Sequence, residues 1–204
     1  VKGYLFWSGL IIFLCKYCPD FVEYLRKQQT TKINDNALFL SCSKTVVENY
    51  LKNNSHDFDS VISDYIGEFA NSSDLENETT NQLVNFGNHL YNHYVPLLMS
   101  DEELLESYNK NEDELRHFSN QRAVFAFPFG QPGTCFSEEQ VQLLYKAGAK
   151  KIFYSFGGTN NNPTNKILDR MTLTLNHNSY AKMWMQVLLG QIKGLFYGSH
   201  YPSS

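Results

Sequence analysis

The chain has 204 residues, 42% of them apolar and 15% aromatic, with 17 basic against 21 acidic side chains for a net charge of −4. That is enough apolar material for one domain with a sizeable core. No basic stripe favours nucleic acid and no Lys/Arg cluster favours an anionic membrane, so neither is an expected partner.

Residues 1–7 (VKGYLFW) predict a strand, β-branched and aromatic with no helical period. The apolar run over residues 4–14 is too short for the roughly 20 residues of a membrane helix, and no small-residue cleavage site follows it. It is read as a buried strand, so the chain is expected to begin inside a domain. Cys15 and Cys18 form a C-x-x-C, with Cys42 and Cys135 elsewhere. No second C-x-x-C completes a four-sulfur zinc site. The pair is therefore read as two near-buried thiols at a helix start, and cysteine usage assigns no compartment.

Residues 21–29 predict a helix. The apolar run at 37–40 fits either strand or helix. Residues 43–52 and 58–69 carry apolar side chains at helical spacing, among them Val46, Val47, Tyr50, Val61, Ile62 and Tyr65. Because Asn, Ser, Asp and Glu fill the gaps, residues 30–82 are read as a helical insertion. Residues 82–86 are a short strand or a helix end, and Gly87 permits a sharp turn. Ser100 and Glu103 form a capping box that starts a helix running to about Phe118. Residues 123–127 read as a buried strand, ended by Pro128, which cannot donate to a ladder. Ser137 and Gln140 cap the next helix, Gly148 stops it, and residues 151–155 form another strand. Strand, loop, helix and strand in about thirty residues make a βαβ unit with a right-handed crossover. Residues 157–165 are a loop, 168–175 a strand, and 179–190 a closing amphipathic helix with Trp184 in its core face. Alternating strands and helices give a parallel α/β fold.

Two stretches carry possible chemistry. Gly87-Asn88-His89-Leu90-Tyr91-Asn92-His93 holds two histidines at i and i+4. On one helical turn these share a face, so both imidazoles can reach one cation, and neutral imidazole suits Zn²⁺. Phe125-Ala126-Phe127-Pro128-Phe129-Gly130 follows about 35 residues later.

Together, GNHLYNH and FAFPFG resemble the second and third motifs of the polysaccharide deacetylases (the NodB-like domain, carbohydrate esterase family four). The resemblance runs from about Val1 to about Leu189. It implies an irregular (β/α) barrel with its site at the C-terminal ends of the strands. It also implies a single domain over residues 1–204, lacking its first β/α unit. The family's first motif, a Thr-Phe-Asp-Asp type sequence, supplies the base and a metal-binding carboxylate. The chain contains no Asp-Asp pair, so these residues alone are expected to be inactive.

By the same resemblance, His89 and His93 are metal ligands, with an upstream Asp as the third and zinc as the metal. Asn88 orients His89. Leu90 stands where the family has a Ser or Thr that braces the loop. Ala126 replaces an Arg that orients the base, although a branch with Ala also exists. Phe127, Pro128, Phe129 and Gly130 line the substrate groove, and the Phe129 backbone N–H is the oxyanion donor. His177, in Leu175-Asn176-His177, matches the general acid. A second alignment makes Arg170 the late basic residue instead. The implied activity is metal-dependent removal of acetyl groups from N-acetylated or O-acetylated polysaccharide or oligosaccharide, in a secreted or cell-envelope setting. The competing readings are a degenerate NodB-like domain that binds glycan or protein without catalysis, and an unrelated α/β domain.

Overall fold

The computed structural model describes residues 7–28, 44–54, 70–160, 162 and 164–197. The chain divides into two compact units. One comprises Val1–Asn85, Asn92–Tyr94 and Phe118–Asn120, the other Phe86–Tyr91, Val95–His117 and Gln121–Ser204.

The first unit is helical among its described residues. Helix α1 spans Trp7–Tyr17, α2 Pro19–Gln28, α3 Lys44–Asn53 and α4 Ser72–Asn77. The expected strand over 1–7 and the buried strand over 4–14 are corrected here, because Trp7 opens a helix; residues 1–6 lie outside the described residues. An unbroken apolar run has no alternation to distinguish strand from buried helix, and its length favours helix. Pro19 takes the first position of α2, where its missing N–H costs nothing. Arg26 and Lys27 face the negative end of the same helix. Ile11, Phe13, Leu14, Cys18, Phe21, Leu25, Val47 and Tyr50 form the core of these helices. The Tyr50 hydroxyl escapes an unsatisfied burial by donating to Asp20 Oδ2 at 2.8 Å. Burial and this acceptor push its pKa well above the tyrosine range. The predicted helices at 21–29 and 43–52 thus match α2 and α3. The run at 37–40 and the helix at 58–69 lie outside the described residues.

The second unit holds a parallel sheet. Strands β1 (Phe86–Asn88), β2 (Gln121–Ala126), β3 (Lys151–Tyr154) and β4 (Ile167–Asp169) lie side by side in chain order. Three helices join it: α5 (Asp101–Leu115), α6 (Glu138–Lys146) and α7 (Tyr180–Tyr197). The chain is therefore a mixed α/β protein. The capping boxes form as read: Ser100 accepts from the Glu103 N–H and Ser137 from the Gln140 N–H. Leu104 and Tyr108 of α5 and Val141 and Leu144 of α6 are buried. Phe125, Phe127, Phe136 and Tyr154 fill the interior, with Phe127 stacked on Phe136 at a centroid distance of 3.7 Å. Gly87 lies within β1 rather than in a turn. A Cβ there would come within 2.5 Å of Val124 Cγ2, so its bare Cα lets β1 and β2 approach.

Two expectations fail at the C-terminal side. The strand predicted over 168–175 stops at Asp169, and residues 175–177 form a 3₁₀ turn. β4 pairs with β3 only as far as Tyr154 opposite Asp169. Beyond that point the Thr-Leu alternation has no ladder to join, and Leu173 is exposed. Trp184, expected in the core, is 54% exposed. Gly190 is the only residue of helix α7 that is fully buried among those described. A Cβ on Gly190 would lie 3.0 Å from Gly157 O. The bulky apolar residues are arrayed around the rest of the helix, so periodicity alone mis-assigns its inner face.

Candidate functional site

Strand β1 ends at Asn88, which is 1% exposed and completely hydrogen-bonded. Its Oδ1 accepts from Leu90 N (3.0 Å) and Asn111 Nδ2 (3.1 Å). Its Nδ2 donates to Tyr108 O and Glu112 Oε1, each at 2.9 Å. All four bonds of a buried amide are made. Asn88 therefore ties the loop to α5 and does not bond the His89 ring, which corrects its expected role.

The loop after β1 is not helical, so His89 and His93 do not share a helical turn as expected. Leu90 and His93 have φ values of 64° and 54°. Left-handed backbone costs side-chain-bearing residues about 1–2 kcal/mol each and breaks a right-handed helix. The Asn88 bond to Leu90 N and a Ser107 hydroxyl bond to Tyr91 N (3.1 Å) hold this shape. The brace expected of a hydroxyl at position 90 comes from Asn88 instead, and Leu90 is buried as an apolar side chain.

His89 Nδ1–H donates to Ala126 O at 2.6 Å. A carbonyl only accepts, so it fixes the proton on Nδ1 and leaves the lone pair on Nε2. Metal-bound histidines carry this kind of outer hydrogen bond. Burial, followed by the nearby Arg170 charge, holds the His89 pKa below its ordinary value, with the Ala126 carbonyl opposing. The ring is a neutral imidazole at pH 7. His93 belongs to the first unit and is half-buried.

Strand β2 ends in the segment Phe127 to Gly130, at the same end of the sheet as His89. Phe127 N–H still donates to Phe153 O at 3.2 Å. Gly130 N–H then donates back to Pro128 O at 2.7 Å, closing a γ-turn centred on Phe129, whose φ is 62°. Gly130 has φ 69°, and a Cβ there would strike Ser155 Cβ at 2.5 Å and Arg170 Nη2 at 2.7 Å. Only glycine fits this place. The expected groove residues thus form one tight turn at the C-terminal rim of the parallel sheet.

The rim is completed by Asp169, the last residue of β4, which sequence reasoning did not single out, and by Arg170 just after it, which sequence reasoning used only in passing. Arg170 Nη2 donates to Phe127 O (2.7 Å) and Nε to Tyr154 O (3.1 Å). One guanidinium thus caps the ends of β2 and β3. The Asp169 carboxylate, also buried, accepts from the backbone N–H groups of Phe156, Gly158 and Arg170. The signal was present in the sequence: Ile167-Leu168-Asp169-Arg170 puts two charges directly after an apolar pair. His177 sits in the 3₁₀ turn at 175–177. Its Nδ1 accepts from Thr174 N at 2.8 Å, and no hydrogen bond joins it to His89.

Among the described residues, no three His, Cys, Asp or Glu side chains gather as a metal site would require. No helix among them is long and apolar enough to cross a membrane. Comparison with protein-family models, with curated proteins and with solved structures finds no match.

Proposed function

We propose that this chain belongs to a metal-dependent polysaccharide deacetylase of the NodB-like type, a hydrolase that removes acetyl groups from acetylated sugars. The observation that carries the reading is the hydrogen bond between the two motifs. His89 of the first is held by the backbone of Ala126 in the second, at the C-terminal ends of neighbouring parallel strands. Parallel α/β sheets bind ligands at that end. The barrel is the finer part of the same proposal. Four parallel strands lie in chain order, and the right-handed crossovers that are the rule between parallel neighbours would send α5 and α6 to one face. The other face then needs cover, and closure into a barrel provides it.

The fit to zinc rests on His89, the proposed first ligand, whose Nδ1–H bond to Ala126 O is the kind of outer bond that ligand histidines carry. His93 is the proposed second ligand and a carboxylate the third. When bound, such a metal lowers the pKa of its water to about 7. The chain's own residues have separate tasks. Phe127 and Pro128 wall the groove, and Gly130 keeps the Phe129 turn tight. The Phe129 N–H is the proposed oxyanion donor. His177 is the proposed general acid for the leaving amine.

A non-catalytic NodB-like domain that binds glycan is the second reading. Ala126 in place of an arginine, and the lack of a three-residue ligand cluster among the described residues, favour it. Zinc titration and a coupled acetate assay on the full-length gene product decide between them. The enzyme reading expects His89→Ala and His93→Ala each to abolish zinc binding and acetate release. It expects His177→Ala to keep zinc and slow turnover. Zinc held through His89 with no acetate from any acetylated glycan selects the second reading. Turnover that survives His89→Ala removes both.

A further inference from the structure

Helix α7 is anchored through a polar and a bare position. Gln186 Nε2 donates to Thr172 O at 3.4 Å. Gly190 lies where a Cβ would meet Gly157 O at 3.0 Å. The two residues are four apart and share one face of the helix. The opposite face is apolar. Tyr180, Trp184, Leu188 and Ile192 repeat along it every four residues, with Met185 and Leu189 in the adjoining row. All six are between 42% and 73% exposed. A surface helix ordinarily buries its apolar stripe and shows its polar one; α7 does the reverse. Large apolar side chains standing side by side in water, unlike scattered ones, mark an interaction site.

The width and the charge of this face point to one kind of occupant. At about 100° per residue, the rows from Tyr180 to Leu189 cover about half of the helix circumference. The seam that one helix offers another is narrower, two positions in seven. A flat, continuous apolar phase covers a half-cylinder at once. The 18 residues of α7 include no Asp or Glu and two lysines, Lys182 and Lys193. A second copy would set lysines against lysines with no acid on either helix to pair them. Lys182 borders the apolar rows, three residues before Met185 and seven before Leu189. Its methylene stem can follow that border while the ammonium reaches an anionic headgroup. Tyr180 and Trp184 are amphipathic rings of the kind that settle at headgroup level. Gln191 interrupts the apolar rows, and no described helix is long and apolar enough to cross a membrane, so α7 suits the surface of a bilayer and not its interior.

We infer that α7 is a membrane-surface helix, which lays the face from Tyr180 to Ile192 into the headgroup boundary of an anionic lipid bilayer. The chain's net charge of −4 gives no attraction of its own. The lack of a Lys/Arg cluster excludes capture by charge alone, but not insertion of an apolar face. Burial of that face supplies most of the affinity, and the lysines select anionic lipid. The inference does not rest on the deacetylase reading.

The test floats the full-length gene product with vesicles of phosphatidylcholine, and with vesicles of phosphatidylcholine and phosphatidylglycerol in equal parts. Binding to the anionic vesicles is expected to be at least about fivefold tighter than to the neutral ones, the worth of one lysine near such a surface. Leu188→Glu should weaken it at least about tenfold, the size of one leucine's lost burial. Brominated acyl chains should quench the fluorescence of the wild type more than that of Trp184→Phe. The inference is overturned if neither vesicle binds, if both bind equally, if a folded Leu188→Glu binds as the wild type does, or if quenching is the same without Trp184. A mass that doubles with concentration in sedimentation velocity, reverts in Leu188→Glu and comes without vesicle binding assigns the face to a second copy and also overturns it. Should Leu188→Glu lose its cooperative melt, Trp184→Ser decides, and wild-type vesicle affinity in that variant overturns the inference.

Discussion

The two sides of the second unit solve the end of a strand in opposite ways. After β1 and β2 the chain is held by buried side chains that reach across the fold. Asn88 grips α5, His89 grips the backbone of β2, and Phe127 packs into the aromatic interior. After β4, once Arg170 has capped its neighbours, most of the hydrogen bonds are local. Thr174 bonds His177 three residues on, and α7 shows Tyr180, Trp184, Met185 and Leu188 to solvent. Apolar residues are abundant on both sides, so composition does not separate them. What separates them is whether a polar group with fixed geometry ties the backbone to a partner. Such ties hold unusual backbone, such as the left-handed Leu90 and Phe129, and a site that must orient ligands needs that rigidity.

If this contrast is right, substitutions on the β1–β2 side should cost far more than those on α7. The largest loss is expected from Phe127→Ala. Its ring is fully buried against Phe136, and truncating a core Phe costs about 3–5 kcal/mol. Urea denaturation followed by far-UV circular dichroism measures it, and a cost near 1 kcal/mol would mean that this side is loosely packed.

Asn88→Ala comes next, at about 2–3 kcal/mol, since it strips partners from buried polar groups of the loop and of α5. Amide exchange at Leu90 should accelerate in the same variant, and unchanged protection there would contradict the tie.

The third effect is a slope with pH. Burial keeps His89 neutral in the folded chain, so the unfolded chain takes up the proton more readily. Its contribution to stability is therefore complete above the ordinary histidine value of 6.5 and is lost as pH falls from there through the lowered folded value. With EDTA present, the difference between wild type and His89→Gln should shrink on acidification. A difference that stays level or grows would mean that His89 is not buried as a neutral ring.

The smallest effect is expected from Trp184→Ser on α7. With its indole 54% exposed, the change should stay within about 0.5 kcal/mol. A loss comparable to that of Phe127→Ala would erase the contrast.

The same contrast explains what the sequence made legible. Helix starts were readable because a capping box is a local code: Ser100 with Glu103 and Ser137 with Gln140 need no distant partner. The strand β2 was readable because Pro128 ends it for a reason internal to proline. The helical nature of α1 was not, because its apolar run offers no polar face to set a phase. The loop of His89 and His93 was misread as a helical turn, since the choice is made by Asn88 and by Ser107 in a distant helix. Arg170 was under-weighted for a similar reason. Its partners Phe127 and Tyr154 meet it only once the sheet has formed.

The order of the strands has a bearing on how the protein comes off the ribosome. Each of β2, β3 and β4 pairs with the strand synthesised immediately before it. The paired positions Phe86–Gln121, Val124–Lys151 and Ile152–Ile167 lie progressively closer along the chain. The loop to be closed therefore shortens with every addition, and closure entropy falls with it. Each strand after β1 in the described sheet finds its partner already made. The sheet can grow by accretion as the nascent chain emerges, with β1 staying at one edge and the newest strand at the other. Arg170 is added just after β4, and its side chain locks the ends of two strands already in place. A stalled chain ending before residue 170 would have a rim without the bonds that the arginine gives to Phe127 O and Tyr154 O.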